Sequence, residues 1–141
     1  MTVAASVSVP VGPRGPAGRR VLVADDNRDS ADSLAVVLRA LGHEVTVAYS
    51  GLQALGLALE SLPHVVVLDL AMPGLSGYQV ARRIRALPGG DAVGLIALSG
   101  WGLANSRHET DSGFDESVTK PGNPYELSAL IFRHSVNGPE G

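Results

Sequence analysis

From Arg20 onwards, short apolar runs that stop at turn or acidic residues alternate with stretches whose apolar positions recur at helical spacing. The run Val21-Leu22-Val23-Ala24, stopped by Asp25-Asp26, predicts a strand over 21–24. Residues 30–41 place Leu34, Val37, Leu38 and Leu41 at helical spacing, with Gly42 positioned to end the helix. A β-branched, alternating strand follows over 44–48. Leu52, Leu55 and Leu59 predict a helix over 51–61, with Pro63 as its stop. The run His64-Val65-Val66-Val67-Leu68 is a buried strand ending at Asp69. A helix over 76–87 puts Val80, Ile84 and Leu87 on one face and leaves Arg82, Arg83 and Arg85 as a solvated one. Beyond it come a strand over 93–98 ending at Ser99, a polar helix over 103–111, a short strand over 116–119 ending at Lys120, and a last helix over 125–134.

The pattern is a β-α unit repeated five times. Most of its strands are continuously apolar, which implies a parallel sheet covered by helices on both faces. The expected fold is a three-layer, doubly wound α/β domain over residues 20–134. Before it, residues 1–19 carry three Pro and three Gly with little hydrophobic period, and are expected to form a flexible tail. Residues 135–141 are expected to be a loose C-terminal tail.

Composition narrows the chemistry. A length of 141 residues suits one domain, and 45% hydrophobic residues are enough for a core. Cysteine is absent, which excludes disulfides, thiolate metal sites and thiol catalysis together. The net charge of −3 argues against a nucleic-acid-coating surface. No apolar run approaches the roughly 20 residues of a membrane span, and no basic n-region opens a secretory signal. A soluble cytoplasmic domain is expected. Ten of the eleven basic residues are Arg, so the lone lysine, Lys120, is unusual. A lysine presents a compact point charge where an arginine presents a planar fork.

Four of the five predicted strands stop at a residue with chemistry of its own: Asp25-Asp26, Asp69, Ser99 and Lys120. In an open parallel sheet, ligands bind outside the carboxyl ends of the strands, so these residues should converge at one rim. Each alone is a common turn or capping residue; the conjunction carries the reading. Three clustered carboxylates repel one another unless a cation offsets them, and an oxygen-only set suits a hard divalent ion such as Mg²⁺. An ammonium and a hydroxyl at the same rim are donors for phosphoryl oxygens. The residues therefore point to a site for a phosphoryl group with a metal, and one carboxylate is a possible nucleophile. No GxxxxGK[ST] loop is present, so nucleotide binding is not indicated.

The segments VLVADDN, VVVLDLAMPGLSG, IALSGWG and GFDESVTKPGNP together resemble the receiver domain of two-component response regulators, over roughly residues 20–133. That resemblance implies a flavodoxin-like five-stranded sheet of order 2-1-3-4-5. It implies that Asp69 is the phospho-acceptor, taking a phosphoryl group from a histidine kinase or a histidine phosphotransfer protein. Asp26 would be a direct Mg²⁺ ligand, Asp25 would act more through water, and Ala71 would offer a backbone carbonyl to the metal. Ser99 matches the hydroxyl that moves towards the phosphoryl group and Lys120 the lysine that pairs with it. Pro121 matches a proline often preceded by a cis bond, and Pro73 and Gly77 shape the turn after the acceptor. Such a chain is a signalling switch that contacts an effector protein, not an enzyme. It is expected to make no direct nucleic-acid contact, since the sequence as given leaves no room for a DNA-binding domain, and no membrane insertion.

Two departures stand out. The family often has an aromatic residue or His three positions before the lysine, where this chain has Ser117. Trp101, in the SGWG segment, is similar to receivers associated with hybrid histidine kinases. Rival readings are a pseudo-receiver that works by binding alone, and a haloacid-dehalogenase-like phosphatase. The latter needs a second Asp two residues after its nucleophile, where this chain has Ala71 after Asp69 and Arg28 after Asp26. An electron carrier of flavodoxin type would want a phosphate loop where DDNRDS stands, and that segment has the wrong charge.

Overall fold

Strand β1 (Arg20–Ala24) opens a sheet in which alternate residues face opposite layers. With β2 (Glu44–Ala48), β3 (Val65–Asp69), β4 (Gly94–Ser99) and β5 (Glu116–Thr119) it forms five parallel strands in the order β2-β1-β3-β4-β5. This is the flavodoxin-like order 2-1-3-4-5. The computed structural model describes residues 19–100 and 113–136 of the chain. The expected helix over 103–111, Trp101, nearly all of the expected N-terminal tail and the last residues from 137 lie outside them.

Four α-helices are described: α1 (Arg28–Ala40), α2 (Gly51–Glu60), α3 (Gly77–Arg85) and α4 (Pro124–Val136). Val21, Val23, Val65, Val67, Ile96, Leu98 and Val118 face one layer, where Ala35 and Leu38 of α1 and Leu127 and Ile131 of α4 cover them. Leu22, Ala24, Val66, Leu68, Leu95 and Ala97 face the other, against Ala54 and Ala58 of α2 and Val80 and Ile84 of α3. Every central strand is thus buried on both sides, which is why its sequence shows no polar alternation. Among the described residues no helix is long and apolar enough to cross a membrane.

The helices depart from their sequence pattern in instructive ways. The buried face of α2 is Gly51, Ala54, Leu55 and Ala58, whereas Leu52 and Leu59 are 73% and 66% exposed. At Gly51 the helix lies too close to its neighbours for any side chain: a Cβ there would come within 2.4 Å of the Leu75 carbonyl oxygen. In α1 the buried stripe is Ala31, Ala35 and Leu38, with Leu34 and Val37 only half-buried. Arg85 is not part of a solvated face. Its guanidinium donates to the carbonyls of Gly90 (2.7 Å), Val93 (2.6 Å) and Gly113 (2.6 Å) and pairs with Asp115 at 3.0 Å. α4 begins one residue before the expected start, with Pro124 as its first residue, and runs two residues past His134.

Candidate functional site

The parallel order carries the C-terminal ends of β1, β3, β4 and β5 to one rim, and the sequence places a functional group at each. Asp69 is the last residue of β3, opposite Leu98 of β4, and Ser99 is the last residue of β4, opposite Thr119 of β5. Asp25 and Lys120 are the first residues beyond β1 and β5. Asp25, Asp26 and Asp69 each offer a carboxylate oxygen within 4.8 Å of the others. Asp25 and Asp69 are both 2% exposed, while Asp26 faces solvent.

Short-range backbone bonds hold the carboxylates in place. The Asn27 N–H donates to Asp25 Oδ1 at 2.9 Å, while the Asn27 side chain caps α1 by accepting from the Ser30 N–H at 3.0 Å. One residue therefore starts the helix and aims the acid. The Ala71 N–H donates in the same way to Asp69 Oδ1 at 3.1 Å. After it, Ser76 caps α3 in a reciprocal pair with Gln79, and the Gly77 N–H donates to the Leu70 carbonyl at 3.1 Å.

Lys120 closes the site. Its Nζ lies 3.1 Å from Asp69 Oδ2 and 3.5 Å from Asp25 Oδ2. The peptide bond to Pro121 is cis, and the Lys120 N–H donates to the Ser99 carbonyl at 2.8 Å, which ties the lysine to the end of β4. Ser99 is fully buried, and its Oγ lies 3.4 Å from Ser117 Oγ on β5.

The electrostatics follow from burial and crowding. Burial pushes the Asp25 carboxyl above the usual carboxylate range; the Asn27 N–H pulls it back, and the charge of Asp69 pushes it further up. Burial alone would lower the Lys120 ammonium, but its bond to Asp69 and the charges of Asp69 and Asp25 outweigh it, so the group is held above its usual value. One lysine thus stands against three clustered carboxylates, two of them buried. The excess negative charge and the all-oxygen donors fit a hard divalent cation.

The structure brings together Asp25, Asp26, Asp69 and Lys120, with Ser99 joined through β4 and Ala71 through its N–H. Sequence reasoning did not single out Asn27, although an Asn three residues before Ser30 at a helix start carries the N-cap signature.

Comparison with known proteins agrees with this geometry. The family model for the response regulator receiver domain matches residues 21–132. The chain is 37% identical over 120 residues to an uncharacterized 14.6 kDa protein from Leptolyngbya boryana, covering 84% of this chain and 92% of that protein. It is also 37% identical over 113 residues to the DNA-binding response regulator MtrA of Mycobacterium tuberculosis H37Rv, covering 80% of this chain and 49% of MtrA, so it spans about half the length of that regulator. Among solved structures, a receiver domain protein from Clostridium thermocellum superposes with a TM-score of 0.77 at 29% identity, covering 84% of this chain and 94% of that one. The receiver domain of the sensor histidine kinase PA1611 from Pseudomonas aeruginosa PAO1 does so at 0.77 and 30%, covering 85% and 99%, and carries a magnesium ion in its active-site cleft. A strand order, an acidic rim and a family match over almost the whole described chain converge: this protein belongs to the response regulator receiver domains of two-component systems, and Asp25, Asp26 and Asp69 fit their phosphorylation site.

Proposed function

We propose that the chain is a phosphorylation switch that accepts a phosphoryl group on Asp69 from the phosphohistidine of a sensor kinase or a histidine phosphotransfer protein. The observation that carries this reading is the Lys120 ammonium at 3.1 Å from a buried carboxylate that has two acidic neighbours. Mg²⁺ would be held by Asp26, Asp69 and the Ala71 carbonyl, with Asp25 acting through water, and would supply charge neutralisation for the phosphoryl oxygens. The chain's own groups do the rest. An Asp69 oxygen attacks phosphorus in line; the O–P bond forms as the P–N bond breaks, and the electron pair returns to the imidazole ring. Lys120 and the Ser99 hydroxyl donate to the oxygens of the transferred group. The product is an acyl phosphate whose altered surface an effector protein reads, in keeping with a cytoplasmic signalling role.

The test is incubation with Mg²⁺ and a small-molecule phosphodonor, read by intact mass. One added phosphoryl group, removable by hydroxylamine and absent in Asp69→Asn, is the expected result. No addition under several donors would leave the pseudo-receiver reading in its place.

A further inference from the structure

Ser117 stands where the resemblance leads one to expect an aromatic ring, and its hydroxyl lies 3.4 Å from that of Ser99. We infer that Ser117 is a positioning residue: its hydroxyl latches Ser99 away from the phosphoryl site, and the latch opens when Asp69 carries the group. The inference rests on the function proposed above.

Parity along the strands separates the two groups. Asp69 falls in register with Val65 and Val67, whose side chains enter the layer covered by α1 and α4. Ser99 falls in register with Leu95 and Ala97, and Ser117 lies next to Val118, so both hydroxyls fall on the face opposite to that layer. Ser99 therefore meets Ser117 on one side of the sheet while the acceptor carboxylate belongs to the other. A phosphoryl oxygen only accepts, so Ser99 must donate to it. The Ser99 carbonyl is engaged by the Lys120 N–H at 2.8 Å, which restrains the backbone. Rotation about χ1 is the remaining movement, and it carries Oγ away from Ser117. The Ser117 hydroxyl is on an exposed residue and turns to solvent when the contact is given up. The latch biases the unphosphorylated state by no more than the strength of one neutral hydrogen bond.

The experiment measures the affinity for beryllofluoride with Mg²⁺, by fluorine NMR, for the wild type, Ser117→Ala, Ser117→Thr, Ser99→Ala and the double variant Ser99→Ala with Ser117→Ala. Removing the latch should tighten binding by about two- to tenfold, the span of one neutral hydrogen bond. Ser117→Thr, which keeps the hydroxyl, should match the wild type, and Ser117→Ala should have no effect once Ser99 is Ala. Unchanged or weakened binding in Ser117→Ala, while the wild type binds the mimic, overturns the latch alone. The same tightening in the Ser99→Ala background also overturns it, because the effect would not pass through Ser99. A wild type that takes up no mimic overturns the latch together with the proposed function.

Discussion

Gly77, the first residue of α3, lies against the backbone of Asp69 so closely that a Cβ on it would stand 2.4 Å from the Asp69 carbonyl oxygen and 2.8 Å from Leu70 Cα. The N-terminus of α3 is thereby seated directly behind Asp69. Both opposing atoms are backbone and cannot swing aside as a side chain would. Gly77→Ala should therefore push β3 and α3 apart, at a cost of about 1–3 kcal/mol in stability. The displacement falls on Asp69, so phosphoryl uptake should drop more steeply than stability. Urea denaturation and the initial rate of phosphorylation, measured on one preparation, check this. Wild-type values of both would show that the helix can retreat without moving the site.

Buried His43 ties the turn between α1 and β2 to α4 through Ser128 Oγ, 2.8 Å from its Nε2, and packs its ring 4.7 Å from that of Phe132. Burial, and then the positive charge of Arg19, hold its pKa below the usual 6.5. A base depressed in the folded state binds fewer protons than in the unfolded state, so stability should fall as pH drops below 6.5 towards the folded value. His43→Gln can keep a bond to Ser128 without titrating. Its urea midpoint should decline less than that of the wild type between pH 7 and pH 5, and parallel curves for the two proteins would refute the assignment to His43.

How much of this was legible in the chain depends on the range of the interaction. The strands were readable because Val65 to Leu68 must be apolar on both faces, and the rim because Asp69 and Ser99 each end an apolar run, with Lys120 closing the short strand after them. The sign of a helix face was less so. Leu52 and Leu59 look like core by spacing, yet Gly51, Leu55 and the alanines of α2 make the contact, and at Gly51 the neighbouring backbone leaves no room for a side chain. Arg85 reads as a surface charge beside Arg82 and Arg83. Its engagement depends on carbonyls at Gly90, Val93 and Gly113 that converge on the end of α3, and no local pattern announces such a convergence. The same holds for the two hydroxyls of Ser99 and Ser117, which are 18 residues apart and meet only because β4 and β5 pair in a particular register.

Lys120 Nζ serves two buried carboxylates, and its own pKa is raised because Asp69 and Asp25 outweigh the effect of its partial burial. By linkage this stability is fully present below about pH 10.5 and disappears only as pH rises through the higher folded value, so at neutral pH the lysine is charged throughout. Replacing it by Ala leaves Asp25 and Asp69 facing each other with Asp26 beside them. The loss should be about 1–3 kcal/mol in the absence of divalent cations, below the usual cost of an orphaned buried charge because Lys120 is partly exposed and the carboxyl of Asp25 can take up a proton. A cation in the acidic cluster relieves the same repulsion, so Mg²⁺ should stabilise Lys120→Ala by more than it stabilises the wild type. Lys120→Arg keeps the charge but not the point-like ammonium that reaches two carboxylates, and should recover stability while leaving phosphorylation-dependent output impaired. Thermal melting of the three proteins with and without Mg²⁺, alongside a pathway assay, decides the matter. Equal Mg²⁺ stabilisation of wild type and Lys120→Ala would mean that the ion does not sense the lysine, and full output from Lys120→Arg would mean that charge alone suffices at this position.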